Sequence, residues 1–470
     1  MSGFSKIEQA DILHFRELIG AEWVLDGLEE REGYGHDYTE DLSFPPEVVL
    51  LPENTEQVSA ILQYCSERII PVTAIGAQTG LSGGALSVFG GVGLSMKRFD
   101  SILDIDEQNL QVRVQPGVIT QVIQDAVAEK GLFYPPDPAS RGSCFIGGNL
   151  AESSGGPRAV KYGVTRDYVL NLEVVLADGA VIRTGADVLK NATGYDLTHL
   201  MVGSEGTLGI ITEAVLKLIP MPKHEMLMLV PFDEIGSAAE AVSAVFRAGV
   251  TPSAMEFMER DALVLVDRMF EMDMDIPRDV AAHLLVEVDG NHTDVLERDC
   301  EAIYEVMMAH GAGEILLAQS SSEKERLWKA RRRIGEATKL YSVYKEEDTV
   351  VPRFALPQLL AAVKSIGQRY GFNSVCYGHA GDGNLHVNIL KEEMSEEAWE
   401  VELPKAIREL FQKVKELGGT ISGEHGIGLV QREYLDVVFD EPLITLQKGL
   451  KRAFDPKGIL NPGKIFILES

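Results

Sequence analysis

A chain of 470 residues with 45% hydrophobic and 24% charged side chains has the composition of an ordinary globular protein with room for two or three domains, and it is not a disordered one. The 43 Lys+Arg against 72 Asp+Glu give a formal net charge of -29, which argues against nucleic acid or an anionic membrane surface as the main partner. No apolar run reaches the ~18 to 20 residues of a transmembrane helix and residues 1–10 carry no signal or transit pattern, so a cytoplasmic location is expected, with peripheral attachment to the inner membrane as the alternative.

In chain order, residues 12–25 form an amphipathic segment, 34–38 are polar, and Pro45-Pro46 marks a boundary. A strand over 47–51, a helix over 57–67 opened by Asn54 or Thr55, and a strand over 70–74 make a compact α/β unit. The stretch 76–85 follows that strand, and its glycines and hydroxyls can aim successive backbone N–H groups at a diphosphate. It is not GxGxxG and no helix follows it, which disfavours a Rossmann nicotinamide domain; Walker A is absent too. Residues 80–84 match GxSxG formally, but a nucleophile elbow must lead into a helix.

Further on, a strand over 111–115, a turn at 116–118 and a helix over 120–130 lead to the proline-stiffened ledge 134–138. Small-residue tracts recur at 147–156 and 203–211, each near a strand, and together with 76–85 they point to a long bound cofactor. Strands over 226–230, 254–258, 284–288 and 314–318 are separated by helices over 236–247, 261–270 and 295–310. Such alternation without Rossmann glycines suits an α+β domain. The four cysteines, at 65, 144, 300 and 376, show no CxxC spacing, so neither an iron–sulfur cluster nor a disulfide framework is suggested and buried thiols are expected; a redox enzyme built this way would hand electrons directly to an outside acceptor.

Residues 375–377 and 385–390 are expected strands around a glycine-rich turn that brings His379 and His386 together. On the second strand His386 and Asn388 share one face, while Leu385, Val387 and Ile389 take the other. The stretch 422–428 adds Glu424 and His425 between small residues. Two imidazoles and one carboxylate leave coordination positions open, as a catalytic site needs; Zn is favoured, with Mn and Fe as alternatives. His379, His386 and Glu424 are assigned to the metal and His425 to proton transfer, although Glu424 as base fits the spacing almost as well. Hydrogen-bonded loop histidines are the plain alternative. A final helix spans 443–453.

The segments PVTAIGAQTGLSGGA, LFYPPDP, IGGNLAESSGG, KYGVTRDYV and GSEGTLGIIT together resemble the FAD-linked oxidases of the vanillyl-alcohol oxidase superfamily. GHAGDGNLHVN, SGEHGIG and FDPKGILNPGK extend the resemblance from about residue 45 to 464 and point to its D-2-hydroxyacid dehydrogenase branch. The resemblance implies an α+β protein: a two-lobed PCMH-type FAD-binding domain over 1–220, an α+β substrate (cap) domain with an antiparallel sheet and the metal site over 221–425, and a C-terminal segment, 426–470, returning to the FAD domain. It implies FAD contacts from Gly76, Thr79, Gly80, Ser82, Gly83, Pro136, Gly147, Gly148, Ser153, Thr165, Gly206, Ile211 and Asn461. No histidine lies between His36 and His199, so non-covalent FAD is expected, with Cys144 a remote candidate for attachment.

Within LWKAR the resemblance makes Arg331 the guanidinium that grips a substrate carboxylate, with Arg332 and Arg333 left to solvent or packing. Asn388 is a further expected substrate contact, and Lys345 is either the cation for a second carboxylate or, equally, a surface charge. Gly335 stands where the hydroxyglutarate enzymes carry a hydroxyl residue, which favours D-lactate or glycolate over D-2-hydroxyglutarate. The implied reaction is oxidation of a small D-2-hydroxyacid to the 2-oxoacid, with hydride to flavin N5 and electrons to a quinone, an electron-transfer flavoprotein or a cytochrome; a homodimer is left open. A metal-dependent hydrolase of a phosphorylated substrate and a non-catalytic electron-relay subunit are the competing classes.

Overall fold

A computed structural model of the protein describes residues 3–39, 42–274 and 276–467. The chain divides into two compact units: Met1–Ser154, Val164–Met221 and Glu424–Ser470 form the first, and Gly155–Gly163 with Pro222–Gly423 form the second. The sequence boundaries did not separate the short excursion Gly155–Gly163, which is tied to the second unit by Lys161 and Tyr162 hydrogen bonds to Asp289.

Among the described residues the first unit contains three sheets, the smallest being the two-stranded pairing of Leu132–Phe133 with Ile219–Pro220. Strands Val48–Leu50, Val92–Ser95 and Val72–Ile75 run parallel, with Val24–Leu25 antiparallel at one edge. The helix Thr55–Arg68 starts where the Asn54 side chain accepts from Gln57 N, and it buries Val58, Ile61, Leu62 and Cys65 against this sheet's core. The C-terminal segment joins the same core: Ile459 and Leu460 are buried in it, and Val72 N donates to Ile459 O at 2.8 Å. A second, five-stranded antiparallel sheet runs Ile102–Asp106, Gln111–Val114, Ile210–Lys217, Val169–Val175, Val181–Arg183. The amphipathic stretch 12–25 is broken rather than continuous: the helix Gln9–Ile19 stops at Gly20, whose φ of 92° leaves the helical region. Residues 76–91 contain no helix, so the GxSxG match is not a nucleophile elbow.

The second unit is one seven-stranded antiparallel sheet in the order Leu316–Leu317, His224–Phe232, Ala282–Gly290, Ala254–Glu259, Asn373–Gly378, Asn384–Leu390, Tyr344–Val350. The strand expected over 314–318 shrinks to two exposed residues at the sheet edge, where a short strand limits unwanted pairing. One face carries Phe257, Leu284, Val286, Leu385, Val387 and Ile389, all fully buried, under the helices Ile235–Arg247, Thr293–Ala309, Leu356–Tyr370 and Leu403–Glu416. The helices Arg260–Phe270, Ser321–Arg332 and Ile334–Tyr341 share a separate core with Leu285, Met258, Val375 and Tyr377 from the opposite face. All four cysteines are buried and free.

Candidate functional site

Register builds the site of the second unit. Met258 pairs with Tyr377, Tyr377 with His386, His386 with Asp348, and Asn388 with Glu346. Because paired residues in an antiparallel ladder point the same way and strands alternate every second residue, Glu256, Tyr377, His386, Asn388, Glu346 and Asp348 stand on one face. His379 follows directly in the turn, which closes at Gly383: with a φ of 86°, and with only 2.0 Å between the place a Cβ would take and Val351 O, this position admits only glycine.

Arg331 reaches this face by helical spacing. The helix Ser321–Arg332 opens with a reciprocal Ser320/Glu323 cap, and one turn before its end Trp328 donates Nε1–H to Glu287 Oε2 at 3.0 Å. Three residues later, on the same side, Arg331 lies 2.6 Å from Glu256 Oε2 and 4.8 Å above the Tyr377 ring. Both carboxylates belong to strands, so they fix the helix at two points. Arg332 and Arg333 pack on Trp328 and Phe270 respectively, as the turn of the helix leads one to expect.

Glu256 is the residue that the sequence reading missed. It is fully buried and accepts from His379 Nδ1 at 2.9 and 3.0 Å while pairing with Arg331. Burial alone would push its carboxyl up; Arg331 and His379 outweigh that and hold it below the usual carboxylate range. The signal was a charged residue inside the short strand Ala254–Glu259, whose six positions are all buried.

His386 lies edge-on to His379, with ring centroids 5.3 Å apart. Its Nδ1 faces Glu346 Oε1 at 3.4 Å and Asp348 Oδ1 at 3.7 Å. Asp348 also anchors the chain that leads to the next motif: it accepts from Asn384 Nδ2 at 2.7 Å, Ser422 Oγ at 3.1 Å and Gly423 N at 2.8 Å. Glu424 is the next residue along the chain. Asn388 is fully buried, with the Tyr377 hydroxyl as its polar neighbour. Arg331 Nε is a buried donor without an acceptor among the described residues. A buried donor of this kind is placed for a polar ligand.

Lys345 does not join them. It pairs with Ile389, on the opposite face of the sheet from His386, and its ammonium sits 5.3 Å from the Trp399 ring centroid. The expectation that it meets a second substrate carboxylate is therefore corrected: alternation turns Lys345 away and turns Glu346 in.

In the first unit, the expected cofactor loops meet one another. Gly76 approaches Gly148, with 4.0 Å from its Cβ position to Gly148 N; Gly206 lies 3.9 Å from Asn461 Nδ2 by the same measure. Asn461 Nδ2 donates to Gly84 O at 3.0 Å and Glu205 O at 2.7 Å. Thr165 donates N–H and Oγ1–H to Ser154 O, next to Ser153. Gly147 N donates to Pro116 O, Gly80 O accepts from Tyr38 N, and Pro136 O accepts from Gln124 Nε2. Thr79 belongs to the same irregular loop as Gly80, Ser82 and Gly83, whereas Ile211 stands on the strand Ile210–Lys217 opposite Val174. A side chain at Gly80 or Gly148 would meet nothing within 4 Å, and Ser82 Oγ is buried without a partner, so a long polar cofactor fits over these loops. Cys144 is buried with its Sγ 3.4 Å from Thr120 Oγ1.

Comparison with known proteins agrees with this architecture. Residues 46–185 match the family described as FAD binding domain, and residues 221–465 match FAD linked oxidases, C-terminal domain. The chain is 42% identical over 451 residues to a protein of Bacillus subtilis (strain 168) named glycolate oxidase subunit GlcD, covering 96% of this chain and 95% of that one. It is 38% identical over 469 residues to a D-lactate dehydrogenase of Anaerostipes hadrus, covering 98% of both. The solved structure of p-cresol methylhydroxylase with substrate bound superposes with a TM-score of 0.82 at 19% identity, over 99% of this chain and 98% of that one, which shows the PCMH-type α+β fold. The chain is thus an FAD-binding oxidoreductase and belongs to the FAD-linked oxidase family.

Proposed function

We propose that this enzyme oxidises a short D-2-hydroxyacid, D-lactate or glycolate, to the 2-oxoacid. The observation that carries the reading is the Glu256 bridge, which holds a guanidinium and an imidazole on one buried carboxylate, beside an Arg331 Nε that has no acceptor among the described residues. Arg331 binds the substrate carboxylate. His379 and His386 present Nε2 to a divalent ion, Zn first with Mn or Fe as alternatives, because Glu256 and the Glu346/Asp348 pair face the Nδ1 atoms. Glu424 is the third ligand; the Gly423 N–H bond to Asp348 fixes the residue that precedes it. His425 takes the hydroxyl proton as the C2–H bond breaks and the carbonyl forms.

When bound, the metal lowers the pKa of the hydroxyl and FAD accepts the hydride. FAD is held, without a covalent bond, by the thirteen positions named above in the first unit; the second unit receives the substrate, and 426–470 returns to the FAD unit. Electrons then leave to a quinone, an electron-transfer flavoprotein or a cytochrome. Substrate length follows from charge. With Lys345 turned outward and the Glu346 carboxylate turned inward, the face carries no cation from this strand for a second carboxylate and one anion to repel it.

Anaerobic mixing tests the reading. D-lactate or glycolate should bleach the flavin absorbance and D-2-hydroxyglutarate should do so far more slowly. His425→Ala should reduce bleaching by about 10²–10⁴-fold while FAD stays bound. Near-normal turnover in that variant would remove His425 from proton transfer, and preferred bleaching by D-2-hydroxyglutarate would remove the argument from Glu346.

A further inference from the structure

The loop that follows Glu424 and His425 is held inside the first unit by a carboxylate that no part of the chemistry above uses. Glu205 accepts from two consecutive backbone groups, Ile427 N at 2.8 Å through Oε1 and Gly428 N at 2.6 Å through Oε2. Burial pushes the Glu205 carboxyl up to about 7, while the Ile427 and Gly428 N–H groups pull it down because they favour the charged form. The rest of Glu205 is also tied down: its N–H donates to Ala151 O at 2.9 Å and its carbonyl accepts from Asn461 Nδ2 at 2.7 Å.

Glu205 adopts a left-handed φ of 53°, a conformation that costs a non-glycine residue roughly 1 kcal/mol. It is also buried, with 6% exposure. The side chain of this strained, buried residue ends on the backbone of 427 and 428. The surroundings restrict the same loop further. A Cβ on Gly426, whose φ is 80°, would lie 2.0 Å from Glu152 Oε2 and 3.1 Å from Glu205 Cδ. A Cβ on Gly428 would lie 2.1 Å from Ser82 O, and Leu429 N donates to that same carbonyl at 2.8 Å. The buried ammonium of Lys464 bonds to Leu86 O and Asn461 Oδ1, and its positive charge draws on Glu205.

We propose that Glu205 is a positioning residue: by clamping the N–H groups of Ile427 and Gly428 it sets where His425 and Glu424 stand. The proposal rests on the roles given above to His425 and Glu424. Its effect should fall on turnover, because a loop misplaced by about 1 Å can cost on the order of 10²-fold in rate while the substrate carboxylate is still gripped elsewhere.

The test compares the flavin-loaded wild type with Glu205→Gln, which keeps the volume but replaces one acceptor by an amide NH₂, and with Gly426→Ala, which keeps the Glu205 carboxylate but crowds the loop against Glu152 and Glu205. Three quantities are read: FAD content, kcat and KM with D-lactate or glycolate, and amide hydrogen exchange of the peptide containing 424–428. Faster exchange in that peptide, a kcat lowered at least tenfold, KM within about twofold and full FAD content are the expected result. Unchanged exchange in Glu205→Gln overturns the clamp. Faster exchange with kcat unchanged, while His425→Ala is inactive, overturns the positioning role and leaves the function standing. If His425→Ala is active the functional reading fails, and the clamp is then judged by exchange alone. Should Glu205→Gln fail to fold, Gly426→Ala is read by the same criteria, and normal exchange and kcat in it overturn the proposal.

Discussion

The two faces of the sheet in the second unit are made by the same strands, yet one is sealed by apolar packing and the other holds carboxylates, imidazoles and a guanidinium out of water. On the first, Leu385, Val387 and Ile389 lie under helices; one residue away along the same strand, His386 and Asn388 face Glu346 and Asp348. The lesson is that the apolar face stabilises the sheet well enough for the polar face to carry groups that cost free energy to bury. Hydrophobic contacts tolerate exchange of shape, whereas each buried charge here needs a particular partner.

The sharpest way to break that contrast is at Glu256. Glu256→Ala leaves the Arg331 guanidinium buried without its carboxylate and frees the His379 ring, so a loss of about 3–5 kcal/mol in stability is expected, with bleaching by D-lactate abolished. A urea titration and stopped-flow absorbance check the two parts; a stable, active variant would mean that Glu256 is not the anchor of the site.

A second test uses pH. His283 pairs with Met258 on the polar face, is 5% exposed, and has a buried Nδ1 without a partner; burial pushes its imidazolium pKa down to about 4. An unfolded histidine titrates near 6.5, so between these values the unfolded chain binds a proton that the folded one refuses. Stability should therefore fall as pH drops from about 6.5 towards 4, by about 3 kcal/mol from this residue. His283→Gln should flatten that part of a Tm-against-pH curve relative to wild type; parallel curves would place the acid sensitivity elsewhere.

The smallest effect is expected from Lys345→Ala. With its ammonium over Trp399 on the far side of the sheet, its removal should change kcat/KM by less than about twofold and stability by about 0.5–1 kcal/mol. A large rise in KM would return Lys345 to the substrate.

Much of this was legible in the sequence. The glycine tracts and the two histidines around a turn could be read because each is a local pattern, while Arg331 came from the family resemblance; the strands flanking the histidine turn appear as Asn373–Gly378 and Asn384–Leu390. Glu256 could not be assigned, since its role comes from neighbours at 331 and 379, far away in the chain. Lys345 was misplaced for a related reason. Composition cannot say which of Lys345 and Glu346 faces a ligand; only the pairing of Glu346 with Asn388 decides it. The hold of Glu205 on 427–428 likewise depends on segments more than 200 residues apart.

The neighbours Lys345 and Glu346 sit on opposite sides of the strand Tyr344–Val350, which pairs along seven residues with Asn384–Leu390. Deleting or inserting a single residue ahead of that strand, without any change of side-chain chemistry, would exchange the two. An ammonium would then project inward where a carboxylate had been, but the same slip would turn Glu347 in and Asp348 out, undoing the bonds that Asp348 accepts from Asn384, Ser422 and Gly423. The strand thus tolerates exchange of single side chains far better than a change in the length of what precedes it.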